Sequence, residues 1–227
     1  MSIWTRIADA LAALVSGEGL SAVFDKLRTP PERSVAFTIA VIALGAKMAK
    51  ADGSVTRDEV SAFRQVFAIP PGEEQNASRV FNLARQDVAG FDSYARKIAA
   101  MFRNDRAVLT DLIEGLFYIA VADGAYHPAE EVFLHEVAMI FGLDERAFRA
   151  VRAHFVPDAP KDPHDILGIP PDATIEQARA AWKQAVRDCH PDRMIARGVP
   201  EEALRLAEKR LIAINEAWAE ISSRQAA

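Results

Sequence analysis

The sequence predicts an all-α chain, a larger helical bundle followed by a small helical domain built on an antiparallel hairpin. Three observations carry this. Apolar residues recur with a period near 3.6 in almost every segment, and no run alternates as a half-buried strand would. The stretch V-P-D-A-P-K-D-P (156–163) concentrates prolines into a stiff spacer that divides the chain. Beyond it, two apolar stripes with alternating steps of three and four residues flank a short connection, as two paired helices require. The expected organisation is an N-terminal helix and linker at 1–31, a helical domain at 32–155, the Pro-rich linker at 156–161 and a small domain at 162–227.

Composition narrows the function classes. The chain has 227 residues, enough for two modest cores, and its 27 Lys plus Arg against 32 Asp plus Glu leave a formal net charge of -5. Bulk nucleic-acid binding needs a basic face, so no nucleic-acid partner is expected. The single cysteine, Cys189, has no internal partner for a disulfide, which fits a reducing compartment.

At the N-terminus, Ile3, Ile7, Leu11, Leu14 and Val15 recur at helical spacing, and Asp9 and Glu18 interrupt the apolar run. Residues 3–15 therefore read as a short amphipathic helix, too broken to span a bilayer and without the layout of a signal peptide. The expected location is cytoplasmic. Peripheral attachment to the inner face of a membrane through residues 3–15 is the alternative, with Arg6 as the one cation on the polar face.

Within 32–155, T-P-P-E-R (29–33) precedes a long apolar segment, and A-I-P-P-G (68–72) closes a later helix. The stretch A-K-A-D-G-S-V-T-R-D-E (49–59) is echoed by A-V-A-D-G-A-Y-H-P-A-E (120–130), which aligns Asp52 with Asp123, Gly53 with Gly124 and Glu59 with Glu130. Two related helix–turn–helix units packed face to face are expected. Asp and Glu seven residues apart supply hard oxygen ligands, so Asp52, Glu59, Asp123 and Glu130 are the candidate metal ligands, for a divalent ion. The ligand ladder of an EF-hand is missing, however. Capping explains the same residues without metal. The glycines suit helix C-termini, Thr56 and Glu59 form a capping box, and His127-Pro128 places proline at a helix start with Glu130 near the positive end of the dipole. The paired A-D-G turns in an all-helical domain resemble the TerB-like (tellurite-resistance type) family, and that resemblance implies an all-α bundle whose acidic residues are suspected of binding metal.

In the small domain, I-L-G-I (166–169) is a short flanking helix, and Thr174 with Gln177 forms a capping box. Ile175, Ala178, Trp182, Ala185 and Cys189 make one apolar stripe, and Leu204, Ala207, Leu211, Ile214, Trp218 and Ile221 make the other. Pro200-Glu201-Glu202 reads as the start of the second helix. Between them lies R-D-C-H-P-D-R. A residue before proline avoids the α region, so His190 should end the first helix, and Pro191 fixes the backbone beside Asp192. An imidazole and a carboxylate are then displayed at a stiff, exposed tip. Arg179, Lys183 and Arg187, at i, i+4 and i+8, form a cationic ridge leading to that tip, despite the cost of like charges at this spacing.

These residues carry the strongest resemblance. From D-I-L-G-I-P-P-D-A-T through the basic helix and His190-Pro191-Asp192 to A-E-K-R-L-I-A-I-N-E-A-W-A-E-I, residues 162–222 resemble a J-domain, the module by which DnaJ-type co-chaperones engage Hsp70. Its position behind a TerB-like domain is similar to the DjlA-like co-chaperones. The resemblance implies stimulation of ATP hydrolysis by a DnaK-type Hsp70, with His190, Pro191 and Asp192 indispensable and Arg179, Lys183 and Arg187 on the contact helix. The chain would be a non-enzymatic regulator, its TerB-like domain selecting an unidentified client, a partner or a location. Three departures are visible. Residues 1–27 do not read as the transmembrane anchor expected of that group, Trp182 stands where Tyr is usual, and Gln184 stands where a basic residue is common. The alternative is a metal-binding stress-response protein in which the TerB-like domain is the active module. An enzyme using His190 and Asp192 is disfavoured, because no nucleophile or oxyanion donor accompanies them.

Overall fold

The computed structural model describes residues 32–51, 75, 78, 82, 90–102, 105–122, 124–197, 199 and 204–224. Among the described residues every element is helical. In chain order they are α1 (Glu32–Ala51), α2 (Phe91–Met101), α3 (Arg106–Ala120), α4 (Pro128–Ile140), α5 (Glu145–Phe155), α6 (Pro163–Leu167), α7 (Ile175–Asp188), α8 (Pro191–Arg197) and α9 (Arg205–Arg224). The expected N-terminal helix at 3–15, the first acidic turn with Asp52 and Glu59, and the start of the last helix at Pro200 lie outside the described residues.

Helix α3 is the axis of the bundle. Its sequence R-A-V-L-T-D-L-I-E-G-L-F-Y-I-A is apolar almost all round, and a helix of that kind must be covered on every side. It packs against α1, α4 and α5 within the bundle and against α8 and α9 of the C-terminal region. Three helices meet at Gly115, where a Cβ would lie at ordinary contact distance, 3.5 Å from Val41 of α1 and 3.7 Å from Leu206 of α9. Leu109, Leu112, Ile113, Leu116 and Phe117 are fully buried around this axis.

The caps follow the sequence. Asp105 starts α3 by accepting from the Val108 amide, and Asp144 starts α5 by accepting from that of Ala147 at 2.8 Å. Pro128 stands at the first turn of α4, and Glu130 Oε2 accepts from the His127 amide at 2.9 Å. Thr174 and Gln177 close a reciprocal capping box at the head of α7. Gly168, at φ +67, ends α6 in the left-handed conformation.

Among the described residues there are two hydrophobic clusters, and they do not coincide with the two halves of the sequence. The smaller lies inside the hairpin and joins Leu167, Ile169, Ala178, Cys189, Ile214, Ala217 and Ile221. The larger is the bundle core, yet it also takes in Val156 and Ala159 from the Pro-rich linker and Met194, Val199 and Leu206 from the C-terminal region. Trp182 differs from expectation. It is only partly buried, with its ring stacked on Trp218 at a centroid distance of 5.4 Å and its indole N–H donating to Asn215 at 2.9 Å. An indole that keeps a polar partner sits at the margin of a small core, so its truncation costs less than the roughly 3–5 kcal/mol of a fully buried aromatic residue.

Candidate docking tip and its seat on the bundle

Helix α7 runs to Asp188 and is capped by Cys189, so the residue before proline lies just outside it, as its restricted backbone requires. His190 and Asp192 are exposed, their side chains 61% and 88% accessible. His190 Nδ1 lies 3.6 Å from the Asp192 carboxylate and accepts from the Asp192 amide at 3.2 Å. The tripeptide also begins a helix. Pro191 opens α8, a position where its missing N–H costs nothing, and the His190 carbonyl accepts from the amides of Arg193 and Met194. The connection read from the sequence as a simple corner is thus a corner followed by two helical turns.

Arg179, Lys183 and Arg187 are all exposed on α7. At 1.5 Å per residue they span about 12 Å along one face. Arg179 lies over the Trp218 ring at 5.7 Å, and Arg187 donates to Gln184 at 2.8 Å. Gln184 in turn donates to Asp188, which also pairs with Arg193 at 2.5 Å. Lys183 makes no ion pair among the described residues. The six tip and ridge residues are therefore continuous and open to a partner, and such a cationic face next to a stiff corner suits an acidic macromolecular surface.

Of the four candidate metal ligands, Glu130 alone is described. It is buried, and one carboxylate oxygen caps α4. Asp52, Glu59 and Asp123 lie outside the described residues. Among the described residues no cluster of three His, Cys, Asp or Glu side chains could hold a metal ion.

Beneath the tip lies a charged group that the sequence reading missed. Asp111 and Glu114 project from one face of α3 and are buried. Arg210 of α9 forks onto Glu114 at 2.8 and 2.5 Å and reaches Asp111 at 2.5 Å. Arg197, the last residue of α8, donates to the other Asp111 oxygen at 3.1 Å and to the Asp188 carbonyl at the end of α7, also at 3.1 Å. Two acids and two guanidiniums thus balance in a desolvated seam. Burial pushes the Asp111 carboxyl up, opposed by the charges of Arg210 and Arg197. Burial would raise Glu114 as well, but the charge and hydrogen bonds of Arg210, with the His154 imidazole 3.6 Å away, hold it below its ordinary value. The clue in the sequence was two acids three residues apart in an otherwise apolar run.

A second ionic contact ties the other edge. Asp165, in the D-I-L-G stretch, accepts from Arg146 at 2.7 Å and from Arg149 at 2.8 Å, both on α5. Between these two ties a cleft of about 280 Å³ is lined by Ala147, Val151, His154, Ile166, Ala185 and Cys189 among others. Cys189 is buried there, and burial pushes its thiol up to about 11, so it is a poor nucleophile at neutral pH. His190 and Asp192 do not line this cleft. No described helix is long and apolar enough to cross a membrane.

Comparison with known proteins matches residues 38–153 to the family described as tellurite resistance protein TerB. Over a longer span the chain is similar to proteins named co-chaperone protein DjlA. That of Photobacterium profundum is 25% identical over 213 residues, covering 82% of this chain and 77% of the relative. That of Coxiella burnetii is 25% identical over 194 residues, covering 77% and 72%. That of Escherichia coli O6:H1 is 20% identical over 265 residues and covers 96% of both chains. No solved structure matches.

Proposed function

The chain belongs to the TerB family and is DjlA-like over most of its length, and from that premise we propose that it is a co-chaperone that binds a DnaK-type Hsp70 and stimulates its ATP hydrolysis. The observation that supports this reading most directly is the exposure of His190, Pro191 and Asp192 at the end of a helix whose outer face carries Arg179, Lys183 and Arg187. In this reading the ridge steers the encounter, because a cationic strip raises the association rate with an acidic surface and fades with salt. The stiff corner then makes the contact that the ridge brings into register. The imidazole and carboxylate act here as recognition groups. Nothing is cleaved or transferred on this chain; the hydrolysis belongs to the partner. The bundle supplies the location or client preference.

The test is a single-turnover ATPase assay with an Hsp70 of the same source. The intact chain should accelerate hydrolysis, and His190→Gln should abolish the acceleration while leaving the melting curve unchanged, because the His190 side chain is exposed. No acceleration by the intact chain would refute the reading.

A further inference from the structure

The structure carries a positioning device between the bundle and the tip. We propose that Arg197, held by Asp111 of the bundle, sets the orientation of the His190-Pro191-Asp192 tip, so that the bundle is part of the Hsp70-stimulating machinery as well as an adapter. This rests on the function proposed above.

The tip is fixed from outside its own side chains. His190 and Asp192 are exposed, so nothing on their own side chains holds them beyond the contact they make with each other. Their position is inherited from the two helices they join. On one side, α7 ends at Asp188, and its last carbonyls lack helical partners. One of them, that of Asp188, receives Nη1 of Arg197 at 3.1 Å. On the other side α8 begins at Pro191, and its far end is Arg197 itself. A single planar guanidinium therefore bridges the end of α7 and the end of α8, closing the tip into a ring of residues 188–197. The remaining guanidinium nitrogens, Nε and Nη2, are both directed at Asp111 Oδ2.

The ring is seated as well as closed. Met194 and Val199 are fully buried in the bundle core, and the Val199 amide donates to the Met194 carbonyl at 3.0 Å. Asp111 is itself fixed through Arg210, which also grips Glu114. The groups facing Arg197 are thus the Asp111 carboxylate from α3 and the Asp188 carbonyl from α7, with Arg210 of α9 sharing the same carboxylate. The path from bundle to tip is Glu114–Arg210–Asp111–Arg197–Asp188, and each link is a charge-assisted hydrogen bond in a largely desolvated setting. None of these residues belongs to the exposed ridge, so their effect should fall on the quality of the engaged complex and leave the encounter alone.

The experiment uses the full chain carrying Arg197→Met, which keeps the apolar stem and removes the fork. Two readouts are taken. The first is the dependence of Hsp70 ATP hydrolysis on chain concentration. Maximal stimulation should fall by about tenfold, the scale set by losing one hydrogen bond to a charged group, while the half-saturating concentration stays unchanged. The second is the NMR spectrum of the chain alone. The His190 and Asp192 amide resonances should shift while the Trp182 indole resonance, bonded to Asn215 inside the hairpin, stays in place. Arg197→Lys, which keeps the charge without the fork, should restore part of the stimulation. Unshifted tip resonances, or full maximal stimulation by Arg197→Met, would overturn the proposal. A merely structural role would move the Trp182 resonance and the melting curve together, and that result also overturns it. If the intact chain fails to stimulate at all, the proposed function falls, and the resonances still decide whether Arg197 orients the tip. Should Arg197→Met fail to fold, Asp111→Asn, equal in volume, takes its place with the same expectations.

Discussion

The tip and the seam beneath it use the same chemistry in opposite surroundings. At the tip His190 faces Asp192, and Arg193 pairs with Asp188, all in contact with water. At the seam, only a few residues away, Arg197 and Arg210 face Asp111 and Glu114 with both carboxylates fully buried. An exposed pair is stabilised little by its partner, because water serves each charge almost as well, and it stays free to exchange that partner for another. A buried pair has no such exchange, since each charge depends on the other for the solvation it lost. The difference separates what this region offers outward from what holds it in place.

Arg210→Met should destabilise the chain by about 3–5 kcal/mol in urea denaturation, because it leaves Asp111 and Glu114 buried without their shared cation. A loss no larger than that of a surface change would mean the seam is wetter than its burial indicates.

Acid titrates the same buried carboxylates. Glu114 has a folded-state pKa below its ordinary value of 4.5, so its contribution to stability is whole above that value and is lost as pH falls through the lower folded-state pKa. Glu114→Gln should therefore flatten the loss of stability in acid, measured as the urea midpoint at successive pH values. Asp111 is pushed the other way by burial, so Asp111→Asn should not produce that flattening.

The smallest effect belongs to the tip. Arg193→Ala removes the Arg193–Asp188 pair, whose members are 53% and 43% accessible, and should cost less than about 1 kcal/mol in the same urea measurement. A larger cost would erase the contrast between the two regions.

Much of the local architecture was legible in the sequence. The capping box at Thr174, the proline at the head of α4, the end of α7 before His190 and the outward ridge of α7 follow from spacing and backbone restriction over a few residues. Helix α8 was less legible, because a seven-residue helix is marginal on its own and exists here through the docking of Met194. The pairing in the seam was not legible, although two acids in an apolar run marked one side of it. Its partners lie 86 to 99 residues apart, and no periodicity within a helix announces which distant cation will meet an acid. Proline content suggested a spacer between separate domains, yet Val156 and Ala159 of that stretch pack into the bundle core. Stiffness is a property of the linker's own backbone, whereas its burial is decided by the surfaces on either side.

The stacked indoles of Trp182 and Trp218 have an optical consequence. Of the chain's three tryptophans these two belong to the hairpin and the third is Trp4, so no tryptophan lies within α1 to α5. Two of the three indole emitters therefore watch the C-terminal pair of helices, while far-ultraviolet dichroism weighs every helix. The two signals together distinguish a hairpin that loosens on its seat from a molecule that melts as one.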